Sequence, residues 1–209
     1  MSDLQQLEDL AVMFAASGHA CEYLGLSYGK MGMVIFLFHY ARQMQDTSFE
    51  VAASVLIDEI QAAIGIDFPV CYAYGLTGIG TGIEYLAQQH FLDIDTDDIL
   101  DDFDRMFAEQ IHTQKLYLSY QDLTDMKRFF SARLENPQTG KRVFLTQTMD
   151  DIVALLELHD RVSPPEVFRI RIPIPELSEN CGLEGQSGEG LAILSTFNPQ
   201  HNAWLQLKL

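Results

Sequence analysis

Leu4, Leu7, Ala11 and Phe14 recur at three- and four-residue intervals at the start of the chain, and Val51, Val55, Leu56, Ile60 and Ala63 repeat that rhythm further on. A period near 3.6 gathers apolar side chains on one helix face, so both stretches are predicted to be amphipathic helices resting on a core. Met33 to Phe38 is apolar at every position, the pattern of a helix buried on all sides. Thr96 followed by Asp97 and Asp98 predicts a helix N-cap with an acidic first turn, and Ile99, Phe103, Met106 and Phe107 supply the stripe behind it. Two stretches alternate in the strand manner instead, Val167 to Ile174 and Trp204 to Leu209, and they are predicted to pair as a short ribbon. Pro164, Pro165, Pro173 and Pro175 make residues 160 to 180 an irregular connection.

Three apolar runs follow glycine-rich openings. These are Gly25-Leu26-Ser27-Tyr28-Gly29-Lys30-Met31-Gly32, Gly75-Leu76-Thr77-Gly78-Ile79-Gly80-Thr81-Gly82 and Gly182-Leu183-Glu184-Gly185-Gln186-Ser187-Gly188. Matching the Gly-Leu pairs gives a period near 50 residues, which suggests stacked helical hairpins in units beginning near residues 1, 46, 95 and 150. A degenerate unit is expected between the second and third motifs, where the only glycine is Gly140. Half-exposed helices alternating with fully buried ones predict an all-α fold, an α/α toroid-like array of about four hairpins in one domain. Glycine at each inner-helix start has a steric reason: it permits close backbone approach and positive φ.

The 30 acidic and 13 basic residues leave a formal net charge of −17, which repels nucleic-acid phosphates and anionic lipid. No basic leader or long charge-free apolar stretch is present, so a cytoplasmic location and no membrane partner are expected. Three cysteines do not make a disulfide framework and fit a reducing compartment.

The first two Gly-Leu motifs, at Gly25 and Gly75, the closing Gly188-Glu189-Gly190-Leu191-Ala192-Ile193-Leu194-Ser195 and the tail from Asn198-Pro199 to Trp204-Leu205-Gln206-Leu207 together resemble the lanthionine synthetase C-like family. The resemblance runs the length of the chain, thinly between residues 105 and 180. It implies an α/α toroid and, in active members, a zinc ion that activates cysteine thiolates of a precursor peptide for addition to dehydrated serine or threonine. The family's zinc is held by a Trp-Cys-Tyr/His-Gly segment and a Cys-His-Gly segment. Here the only tryptophan is Trp204, no cysteine is directly followed by histidine, and the chain is about half the family's usual length.

Cys21 and Cys71 each stand four residues before a Gly-Leu pair, equivalent positions in the repeat that suit small packing residues. Cys71 and Cys181 with one of His39, His90 or His159 is the metal alternative, since zinc needs three or four converging ligands. Gly78-Ile79-Gly80-Thr81-Gly82 lacks the third glycine and the βαβ context of a dinucleotide turn, which favours helix packing. Asp93, Asp95, Asp97 and Asp104 imitate calcium-loop spacing, but Asp98 stands where glycine is required, so a solvated acidic turn fits better. Glu84, Glu184 and Glu189 beside the glycine motifs would suit a carboxylate-dependent hydrolase by fold analogy alone. Arg169 and Arg171 share a face of the predicted strand, where they either salt-bridge to the acidic surface or grip an acidic partner.

The expected function is a non-catalytic binding or accessory protein in modified-peptide maturation, with no cofactor. The alternatives are a zinc-dependent cyclase with rearranged ligands and the hydrolase. The expected binding surface is the glycine-motif end, where helix N-termini present unbonded N–H groups flanked by Tyr28, Lys30, Tyr72, Tyr74, Thr77, Glu184 and Gln186. Its expected partner is a peptide or protein, and an open edge of inner-helix surface predicts a homodimer.

Overall fold

A computed structural model describes residues 2–65, 68–113, 117–162 and 181–208. They form α1 (Asp3–Ser17), α2 (Lys30–Met44), α3 (Ser48–Ala63), α4 (Leu76–Gln88), α5 (Thr96–Ile99), α6 (Asp101–Thr113), α7 (Tyr120–Glu135), α8 (Arg142–Val162) and α9 (Gln186–Phe197), with 3₁₀ segments at Gly18–Ala20 and Pro199–Leu207. The fold is all-α, as the periodicity predicts, and no strand occurs among the described residues. None of the described helices is long and apolar enough to cross a membrane.

The helices start and stop on local chemistry. Ser2 caps α1 by accepting from the Gln5 N–H, and Ser119 with Asp122 forms a reciprocal capping box on α7. α5 is capped by Asp95, whose carboxylate accepts from the Asp97 N–H, so the predicted cap at Thr96 is displaced by one residue. Thr96 is instead buried. α2 ends on Gln45 in the left-handed region, φ 57°.

The chain groups into two compact units. One holds α1, α2, α3, α9, both 3₁₀ segments and the turn Ala73–Gly75, and the other holds α4 to α8 with Pro69–Tyr72. In the first unit α2 lies against α1, α3 and α9, and every residue from Lys30 to Ala41 is buried, as the unbroken apolar run implies. Phe36 meets Phe14 edge-on at 5.6 Å, and Tyr40 meets Phe49 at 4.9 Å. The outer helices bury narrower stripes than predicted. Leu7, Ala11 and Phe14 are buried on α1 and Ala53, Leu56 and Ile60 on α3, while Leu4, Val51 and Val55 are exposed. The exposed large apolar residues of this unit thus include outer-helix positions, whereas α2, expected to be buried on all sides, keeps its apolar residues covered.

α9 packs on both α1 and α2, so the last α-helix returns to the first hairpin. Pro199–Leu207 then packs on α9. The predicted strand at Trp204 to Leu209 is therefore wrong over Trp204–Leu207: His201, Trp204 and Leu207 are buried at every third position, the period of a 3₁₀ helix, while Leu205 faces outward. Asn198 caps that segment and the Trp204 indole N–H donates to Ser195 Oγ at 3.2 Å. The partner stretch Val167 to Ile174, with Arg169 and Arg171, lies outside the described residues. In the second unit α7 packs on α4 and α8 around Phe107, Phe129 and Phe130.

Candidate functional site

The glycine motifs superpose in a different register from the one that Gly-Leu pairs suggest. α2, α4 and α9 begin one residue after Gly29, Gly75 and Gly185, and each helix carries a second glycine three positions on, at Gly32, Gly78 and Gly188. The repeated signature is therefore Gly-x-x-Gly across the helix start. In this register Gly29 and Gly75 are 46 residues apart, and the third unit begins at the Ser119 capping box on α7. Gly140 lies in the loop between α7 and α8, not at that start. Leu26 now matches Tyr72, and Gly25 matches Cys71, so Cys21 and Cys71 are not equivalent positions. Their apparent equivalence came from aligning Leu26 with Leu76.

In the first unit three turns lie edge to edge. The Ser27 N–H donates to Ala73 O at 2.9 Å, the Leu183 N–H to Leu26 O at 3.1 Å, and the Glu184 N–H to Ser27 O at 3.0 Å. The turn around Gly25–Gly29 is thereby stitched between the other two. Close approach explains the glycines: a β-carbon on Gly25 would collide with the Tyr74 backbone, and one on Gly32 would fall 2.6 Å from Gly182 Cα. The other half of the steric argument fails, because no described glycine has positive φ. In α4 the same contact is with rings, since a β-carbon on Gly80 would lie 2.6 Å from Phe129. Helix packing accounts for this part of the Gly78–Gly82 run.

The expected N–H groups are already used at two of the helix starts. In α2 the Lys30 and Met31 N–H groups donate to Tyr23 O and Leu24 O, and in α4 the Leu76 and Thr77 N–H groups donate to Pro69 O and Val70 O. Each glycine loop folds back and supplies its own helix with seven-residue-distant acceptors, which satisfies the donors a ligand would need.

The seven predicted binding residues consequently divide. Lys30 is buried and paired with Glu59 at 2.5 Å. Thr77 is buried, its hydroxyl donating to Val70 O at 2.6 Å, and Ser187 reaches Cys181 O in the same way from α9. Tyr72 is buried beneath the Arg128 guanidinium, 5.0 Å from the ring centroid; burial pushes its hydroxyl up to about 12. These three hold structure rather than face a ligand. Tyr28, Tyr74, Glu184 and Gln186 are half-buried on the stitched turns. Burial, then the neighbouring Glu184 charge, raises the Tyr28 hydroxyl above its ordinary value.

Of the proposed metal ligands, Cys181 meets Cys21, thiol to thiol, in this unit. The Cys181 hydrogen bond is the main cause that lowers Cys21 to about 7, while the same contact with burial raises Cys181. His39 is hydrogen-bonded to His201, Nδ1 to Nδ1 at 2.7 Å, and His159 stacks edge-on against Tyr120. Among the described residues no three histidine, cysteine or carboxylate side chains converge as a metal-holding group.

The second unit holds a buried charge cluster. The Arg133 guanidinium, fully buried, donates to Glu84 Oε2 at 2.7 Å, Asp97 Oδ1 at 2.8 Å, Asp104 Oδ2 at 2.9 Å and Thr96 Oγ1 at 2.9 Å. Asn136 Nδ2 donates to the other Glu84 oxygen at 2.6 Å, and Thr139 and Gly140 donate to Asp97. Burial raises Asp104 against the pull of Arg133. For Arg133 burial opposes the charge, but hydrogen bonds and charges from Asp104 and Glu84 outweigh it and hold the guanidinium above its usual range. Asp97, though partly desolvated, is held below the usual carboxylate range by Thr139, Gly140 and Arg133. Asp97 and Asp104 therefore belong to an ion-pair network, not to a solvated turn or a calcium loop. Glu84 is equally committed, which removes it from the hydrolase reading; Glu189 is exposed and Glu184 half-buried. A cavity of ≈ 580 Å³ opens beside the cluster, lined by Gln88, His90, Asp95, Asp97, Asn136 and Thr139 among others.

Sequence reasoning overlooked this cluster although a signal existed. Met126, Phe130 and Arg133 follow helical spacing on α7, so Arg133 is a charge inside an apolar stripe, and Asp104 interrupts Leu100, Phe107 and Ile111 likewise. A charge placed there requires a buried partner. The Cys21–Cys181 and His39–His201 pairs span about 160 residues and carry no local signal. No protein-family model matches the chain, and comparison with curated proteins and with solved structures returns no match.

Proposed function

We propose that the protein is a lanthionine synthetase C-like binding protein without the family's catalytic step, an accessory that holds a peptide in modified-peptide maturation. The observation that carries this reading is the strip of three turns joined by main-chain hydrogen bonds, with Tyr28, Tyr74, Glu184 and Gln186 half-exposed on it. Tyrosine offers rigid amphipathic contact area and Glu184 an acceptor for a basic group, in keeping with the net charge of −17. The sequence lacks the family's two zinc-ligand segments, which separates binding from cyclization in this reading.

The test uses a short, fluorescently labelled synthetic peptide rich in basic residues, with binding followed by fluorescence anisotropy. Saturable binding that weakens about tenfold or more in Tyr28→Ala and Glu184→Lys, roughly 1.4 kcal/mol, is the expected result. Binding unaffected by both substitutions in folded protein, or no binding at all, rejects the proposal. The meeting of Cys21 with Cys181 favours one second reading, a cyclase using these thiolates on zinc. Stoichiometric zinc in the purified protein, lost in Cys21→Ala, would support it over the accessory role.

A further inference from the structure

The first and third glycine turns are held together by the Leu183–Leu26 and Glu184–Ser27 hydrogen bonds and by the backbone contact of Gly32 with Gly182. That docking brings the side chains of Cys21, just before the first turn, and Cys181, at the start of the third, into hydrogen-bonding contact. Both residues are half-buried, so a small oxidant reaches them from solvent. No other contact in this unit brings two sulfur nucleophiles together among the described residues.

We propose that Cys21 and Cys181 are a peroxide-oxidisable dithiol, a modification site that closes into a disulfide joining the segments that lead into the first and third glycine turns. The inference is independent of the peptide-binding reading. Cys21 is the attacking sulfur. Cys181 donates to it and stabilises the thiolate, and the Lys30 ammonium adds attraction that Glu22 partly offsets. The Cys21 thiolate attacks one oxygen of hydrogen peroxide, the O–O bond breaks, and the departing hydroxide takes a proton to leave as water. The resulting sulfenic acid is attacked by the Cys181 sulfur. The S–S bond forms, the S–O bond breaks, and the hydroxyl leaves with the Cys181 proton as a second water. Two thiols thus lose two hydrogens and two electrons, and one peroxide becomes two waters. Cys71 belongs to the other compact unit and is not one of the proposed pair.

Wild-type protein is treated with hydrogen peroxide, alkylated, digested and mapped by mass spectrometry. The expected product is a peptide pair joining Cys21 to Cys181, two hydrogens lighter than the sum of its thiols, abolished by dithiothreitol and absent from Cys21→Ser and Cys181→Ser proteins. A crosslink through Cys71, intermolecular dimers alone, or sulfinic acid on Cys21 with Cys181 still alkylated would overturn the proposal. Because the decisive map is made on wild-type protein, a variant that fails to fold leaves the test intact.

Discussion

Arg133 is the residue on which the most charge converges, since its guanidinium meets three carboxylates inside the second unit. Its burial is tolerable only because each N–H finds an oxygen, and the carboxylates in turn rely on it. Truncating one partner of such a set strands the others in a desolvated site. Arg133→Ala is expected to destabilise the protein by about 3–5 kcal/mol in urea unfolding, and adding Asp104→Asn should return part of that loss. A cost below about 1 kcal/mol would mean that water already reaches the cluster. Glycine gives the second residue-scale comparison. Gly32→Ala would press a β-carbon into the Gly182 backbone, which neither strand of main chain can yield, whereas Gly65 has nothing within 4 Å of that position. Thermal melting should fall in Gly32→Ala, while Gly65→Ala should be neutral or up to about 1 kcal/mol more stable through its stiffer unfolded chain. Equal effects at both sites would refute close approach as the reason for the repeat glycines.

Between elements, the His39–His201 contact ties α2 to the closing 3₁₀ segment. The His201 Nε2–H donates to Gln43 Oε1 at 3.0 Å, which leaves its Nδ1 as an acceptor for the Nδ1–H of His39. A proton added to His201 Nδ1 would set two donors face to face. Burial, then the neighbouring His201 and Arg42, lowers His39 to about 3, and burial with Arg42 lowers His201. In the unfolded chain both imidazoles titrate near 6.5, so the unfolded state binds protons first as pH falls. The stability from neutral imidazoles is complete above about 6.5 and declines below it, down toward about 3 for His39. Urea midpoints should therefore drop between pH 7.5 and 5.5, less steeply in His39→Gln. Parallel profiles in the two proteins would show that the pair does not titrate on unfolding.

Across the whole molecule the dominant quantity is the net charge of −17. Self-repulsion on that scale opposes compaction, and salt relieves it as the Debye length shrinks from about 30 Å at 0.01 M to about 8 Å at 0.15 M. The melting temperature is expected to rise over that range in a neutral salt. A fall would indicate that exposed pairs such as Arg161 with Glu157 outweigh the repulsion, which isolated surface pairs seldom do.

The sequence alone determined the elements that hydrophobic period controls: an all-α chain, the buried apolar run of α2 and glycines at helix starts, because local spacing dictates which face is apolar and glycine leaves a visible mark. It misjudged what local spacing leaves open. The Trp204–Leu207 alternation suits a strand as well as a 3₁₀ turn, and only packing against α9 selects the latter. The Gly-Leu pairs also fixed a register that the helix starts shift, since Gly29, rather than Gly25, matches Gly75. Only tertiary structure decided that Lys30, Tyr72 and Thr77 are committed internally, that Arg133 gathers Glu84, Asp97 and Asp104, and that Cys21 faces Cys181. These are contacts between residues far apart in the chain, and a one-dimensional pattern can show that a charge or thiol needs a partner without showing which one. The stitched glycine turns are both kinds at once: their small residues were legible, and the backbones they admit were not.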